Sequence, residues 1–162
     1  MNINATSNFK IIHEESTDKG SIVFGISSNN SKEYLGTAFV NKNLFGYREL
    51  YSGTSSIDGF EKRDLTAQYF PAIKQTSLPI YFGVILNDKI KTVSVKQSSS
   101  SEMKDAKIIE AGDKRIWLVY MSGFKGTEFE VLGYDNDGSY IYSFEDTITW
   151  NVEEKPLTSP YK

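Results

Sequence analysis

The stretch GYDNDGSYIYSF (133–144) can be read as a cation-binding loop or as the turn of a β-hairpin, and the choice decides the fold. An EF-hand loop takes ligands from positions one, three and five, a glycine at six and a bidentate carboxylate at twelve. With Gly138 at position six, Asp135 and Asp137 fall at three and five, but position one is Gly133 and position twelve is Phe144. Essential oxygens are therefore missing at both ends of the loop. The flanks point to the other reading. Val131, Gly133 and Tyr134 come before the turn and Tyr140, Tyr142 and Phe144 alternate after it, so Asp137-Gly138 stands where a hairpin needs residues that accept positive φ. The segment is read as a hairpin, and no metal site is expected.

The same pattern extends outward in both directions, with short apolar runs separated by clusters of Gly, Asn, Asp and Ser, as in an all-β protein. Strands are expected at FKIIHEE (9–15), GSIVFGIS (20–27), EYLGTAFV (33–40), FGYRELYSG (45–53) and around 65–70, where Pro71 ends the run. Further on they are expected at PIYFGVIL (79–86), KIKTVSVKQ (89–97), DAKIIEA (105–111) and KRIWLVYMS (114–122). The last three are TEFEVLGY (127–134), SYIYSF (139–144) and TITWNV (147–152). Turns fall at Asp18-Lys19-Gly20, Asn41-Lys42-Asn43, Asn87-Asp88 and Gly112-Asp113, and the serine run 98–101 reads as a loop. Period-two alternation sets Leu35, Thr37 and Phe39 on one face, and Phe45, Tyr47 and Tyr51 together on another. Ile116 to Tyr120 are apolar on both faces, which suits a central strand buried between layers. The expected architecture is an antiparallel β-sandwich or a partly open barrel, as a single domain over 9–152. A disordered leader (1–8) and a flexible tail (153–162) flank it, the tail because Pro156 and Pro160 withhold ladder hydrogen bonds.

Composition narrows the function classes. Eighteen Lys and Arg stand against twenty-one Asp and Glu, a net charge of −3, without a basic block. Nucleic acid is not an expected partner, because tracking phosphates takes clustered cations. With no cysteine, thiolate metal sites, disulfides and Cys nucleophiles are excluded. His13 is the single histidine, no Gly-x-Ser-x-Gly elbow or phosphate-binding glycine loop occurs, and no apolar run is long enough to span a membrane as a helix. No cofactor is expected.

Two groups of side chains stand out as candidates. Tyr47, Tyr51, Trp117, Tyr140 and Tyr142 are aromatics on strand faces, most of them expected in the core, but with polar tips suited to docking a protein or an envelope component. Glu128 and Glu130 share a strand face with Glu145 and Asp146 nearby, the raw material of a glycosidase pair. Alternation of Glu with Phe129 and Val131 is also how a sheet keeps one face wet.

Three segments read together, LFGYREL (44–50), LPIYFGVILNDKIKTVSV (78–95) and AKIIEAGDKRIWLVYM (106–121), resemble small secreted proteins and lipoproteins of Gram-positive bacteria. The resemblance implies a β-rich domain outside the cytoplasm, secreted or tethered by a lipid anchor upstream, and brings no activity with it. The expected function is thus a non-catalytic extracytoplasmic binding module. The alternative is a small carbohydrate-active enzyme using Glu128, Glu130 or Glu145.

Overall fold

A computed structural model describes residues 9–58 and 63–160; the expected leader, 1–8, lies outside them, as do the last two residues of the expected tail. The described residues form twelve strands and no helix, and all pairings between named strands are antiparallel. They gather into two compact units.

The first unit is built on β1 (Lys10–Thr17), β2 (Gly20–Asn29), β3 (Lys32–Asn43) and β4 (Gly46–Ser56), a meander in the order β1-β2-β3-β4. The expected alternation holds. Leu35, Thr37 and Phe39 share a face with Ile22 and Phe24 through the pairs Phe39↔Ile22 and Thr37↔Phe24, and all five are buried. On the opposite face the paired glycines Gly25 and Gly36 leave a gap that the Phe9 ring fills, so closely that an added Cβ would lie 2.2 Å and 2.5 Å from it. Asn30 and Ser31, both at positive φ, make the two-residue β2–β3 turn, whose backbone twist matches that of the strands it joins. In the tail, Leu157 O accepts from Lys74 N at 2.8 Å and Ser159 Oγ donates to Leu50 O at 2.6 Å, so 157–159 are bonded to this unit.

The second unit holds two four-stranded sheets. One runs β5 (Gln68–Phe70), β6 (Ile80–Ile85), β10 (Lys114–Tyr120), β9 (Lys107–Ala111). The other runs β12 (Tyr140–Thr147), β11 (Glu128–Tyr134), β7 (Thr92–Gln97), β8 (Met103–Asp105). Tyr81, Ile85, Trp117 and Val119 from the first pack in one core with Val93, Val95, Phe129 and Val131 from the second, the layer structure of a sandwich. Neither sheet closes on itself, so of the two expected architectures the sandwich is present. Central strand β6 is buried at every position, as is β10 from Ile116 to Val119, as the two-sided apolar runs imply.

Beside β6, between the bridge Leu65↔Ile85 and edge strand β5, the backbone of Thr66 leans over the sheet at close range. Thr66 donates its N–H to Val84 O at 3.0 Å, accepts from Val84 N at 2.8 Å through Oγ1, and accepts from Trp117 Nε1 at 2.9 Å. Gly83, opposite Trp117 in the ladder, leaves the room for it.

The hairpin at 133–144 is a hairpin. Asp135 Oδ1 accepts from the Asp137 and Ser139 amides at 2.9 Å and 2.8 Å, and Gly138 has φ +78. The Asp135 carboxylate is thus occupied in shaping the turn.

Several expected details differ. TITWNV is not a strand: β12 ends at Thr147, and the chain turns so that Ile148 and Val152 both reach the core, their amides bonding Thr127 O and Gly126 O. Met103–Asp105, outside every expected strand except for its last residue, forms β8, since Gln97 N bonds Glu102 O and closes the serine loop into a hairpin. The β3–β4 turn is not at Asn41-Lys42-Asn43. Those residues continue the ladder to Asn43↔Gly46, and the turn itself is Leu44-Phe45.

Candidate functional site

The β3–β4 turn is shaped by its two flanking residues. Asn43 Oδ1 accepts from Phe45 N at 2.8 Å, an Asx turn, and Gly46 takes φ +122, a conformation that disfavours a side chain. Leu44 and Phe45 therefore sit in a frame that does not depend on what they are. They are 99% and 97% exposed. All seven residues from Lys42 to Arg48 are exposed, so the tip of the hairpin stands clear on both faces. One rung below the apex's closing pair, Tyr47 is 59% exposed and the Lys42 ammonium lies over its ring at 5.9 Å from the centroid. At the base an open concavity of about 600 Å³ is lined by Asp18, Lys19, Gly20, Asn41, Lys42 and Gln75.

Two consecutive large apolar side chains at full exposure contribute nothing to the fold and are the strongest surface anomaly among the described residues. The sequence hides them because its alternation sets Phe45 on a strand face with Tyr47 and Tyr51. The signal that finds them is local: Asn43 and Gly46 frame a two-residue turn, and its two positions hold Leu and Phe.

The five aromatics singled out from the sequence are dispersed. Only Tyr47 belongs to the tip. Tyr51 is not on its face, because Leu50 is an extra residue in the ladder: Phe39 pairs with Tyr51 and Val40 with Glu49. The bulge puts Tyr51 on the core side with Phe39 and leaves Tyr47 on the other with Lys42. A second bulge separates Tyr140 from Tyr142 in the same way. Tyr142 pairs with Gly133 and Tyr140 with Tyr134, leaving Ile141 extra. Tyr142 packs against the core beside Phe144, whereas Tyr140 is 60% exposed and bonded to Ser143 Oγ at 2.9 Å. Trp117 is wholly buried, edge-on to Tyr81, with its indole N–H on Thr66 O, and presents no surface to a ligand.

The carboxylates divide as well. Glu130 stands directly across from Glu145 on one side and Lys96 on the other, on the outer face of its sheet. Glu128 lies on that face, opposite Thr147. An open concavity of about 500 Å³ is lined by Glu130 together with Lys96, Ser100, Ser101, Met103, Leu132 and Tyr134, and Glu145 is not among them. Asp146 points the other way and accepts a hydrogen bond from the buried Tyr81 hydroxyl.

Burial, then the bond to Asp146 and its charge, hold the Tyr81 phenol far above its ordinary value of 10.0. Burial, then the charge of Glu154, raises Tyr69 likewise. A phenol whose folded-state value is raised stabilises the fold fully below the unfolded value and loses that contribution as pH rises past it. The thermal midpoint is therefore expected to fall steadily above pH 10. In Tyr81→Phe the midpoint at neutral pH drops, by about 1.5–3 kcal/mol of stability for a bond to a charged acceptor, and its fall above pH 10 is shallower. A variant with an unchanged alkaline slope would contradict this.

Fold and site together define an open antiparallel β protein that presents an apolar hairpin tip. No family model, curated protein or solved structure matches the chain.

Proposed function

We propose that this chain is a non-catalytic binding module that acts outside the cytoplasm, secreted or tethered by a lipid anchor upstream, and engages an envelope component through the tip of the β3–β4 hairpin. The observation that carries the reading is the full exposure of Leu44 and Phe45 in a turn whose geometry is set by Asn43 and Gly46. Each such side chain is worth about 1.5–3 kcal/mol when removed from water, so two at one apex act as anchors of the kind that dominate interfaces. The resemblance of 44–50, 78–95 and 106–121 to secreted and lipid-anchored domains supports the location. A carbohydrate-active enzyme is less well supported, since two carboxyls that work on one bond must flank one substrate, and the concavity beside Glu130 is not lined by Glu145.

A photo-crosslinking side chain placed at position 45 is expected to capture a component of an envelope suspension, and the same group at position 140 is not. Capture from 140 alone would contradict the reading.

A further inference from the structure

Resting on that reading of the tip, we propose that its ligand is the interfacial layer of an anionic lipid bilayer, into which Leu44 and Phe45 insert. Successive rungs of the hairpin match the layers of a bilayer. The apex is apolar, the rung Lys42↔Tyr47 brings an aromatic ring and an ammonium, and the next, Asn41↔Arg48, adds a guanidinium. That is the order hydrocarbon, aromatic interface, anionic headgroup. The reach agrees too. Three rungs at about 3.3 Å each make roughly 10 Å, against the 5–10 Å to which interfacial segments sink.

The local charge is opposite to that of the whole. The chain carries −3, but this end of its sheet carries Lys19, Lys42 and Arg48 against Asp18 and Glu49. Both carboxylates are engaged by serines, Asp18 by Ser77 Oγ at 2.9 Å and Glu49 by Ser52 Oγ at 2.6 Å. Three cations against two carboxylates leave this end of the sheet with one net positive charge, so an anionic surface attracts it. The backbone fits as well, because Phe45 N–H is already satisfied by Asn43 Oδ1 and brings no bare donor into the headgroup region. A tip of two side chains binds weakly and reversibly on its own, and stable attachment takes a second signal such as a lipid anchor.

The test is sedimentation of the full chain with vesicles of phosphatidylcholine alone and of phosphatidylcholine mixed with phosphatidylglycerol. Binding is expected to the mixed vesicles only. It should weaken by more than about tenfold in Leu44→Ser/Phe45→Ser, by about fivefold in Lys42→Gln, and with added salt. The thermal midpoints of these variants should match the parent, because none of the three side chains is buried. No binding to either vesicle, with position 45 still crosslinking in an envelope suspension, would overturn the bilayer as ligand and leave a protein or glycan partner at the tip. No vesicle binding and no crosslink from position 45 would overturn the bilayer and the tip reading together.

Discussion

Replacing Gly83 with alanine is expected to destabilise the protein more than any other single-methyl addition. The added Cβ would stand 1.8 Å from Thr66 O, 2.5 Å from Thr66 C and 2.8 Å from Trp117 Nε1, and the nearest two atoms are backbone with no freedom to swing aside. Relief means lifting Thr66 off the sheet. That breaks its two bonds to Val84 and the one from Trp117. Strain of about 1–3 kcal/mol and three lost buried hydrogen bonds of about 1 kcal/mol each sum to roughly 4–6 kcal/mol. For a chain of this size that lowers the thermal midpoint by about 8–24 °C. Gly112→Ala is the control, since Gly112 has φ +67 but nothing within 4 Å, so its cost is conformational only, about 1–2 kcal/mol. Equal effects at the two positions would show that Thr66 does not lie on Gly83 as described.

Trp117→Ala comes next, at about 3–5 kcal/mol for a large buried aromatic. It removes the ring that Tyr81 meets edge-on at 5.1 Å and leaves Thr66 O without its donor. Trp117→Phe keeps most of the apolar contact but not the donor, and falls in between, at about 1–3 kcal/mol. Tyr140→Ala should change stability by no more than about 0.5 kcal/mol. Urea denaturation of the three variants checks the order, and a Tyr140→Ala loss as large as that of Trp117→Ala would contradict the division between core and surface drawn for these aromatics.

What was legible in the sequence follows from how local each signal is. The turns at Asp18-Lys19, Gly112-Asp113 and Asp137-Gly138 were readable because positive φ and Asx bonding are properties of the residues themselves. Strand β10 was readable because no loop keeps Ile116 to Val119 apolar on both faces. The bulges at Leu50 and Ile141 were not. A bulge is a property of a pair of strands, and one extra residue reverses every face assignment beyond it. That is why two aromatic stripes, Tyr47 with Tyr51 and Tyr140 with Tyr142, proved to be split between faces. Trp117 is legible as part of the buried strand β10, and its polar N–H is satisfied inside by Thr66 O rather than at the surface. The tip is hidden for a different reason. Alternation of Phe45, Tyr47 and Tyr51 outweighed the Asn43 and Gly46 frame, although the frame alone locates the turn.

The proposed binding contact is the hairpin tip, and not the aromatic or carboxylate faces of the sandwich. It is tested most directly by the fraction of the full chain that co-sediments with cell envelopes, compared with Leu44→Ser/Phe45→Ser and with Glu130→Gln/Tyr140→Ala. The expected result is a loss of at least about tenfold in the first and parent-like binding in the second. Parent-like binding of the tip variant, with loss in the other, would contradict it.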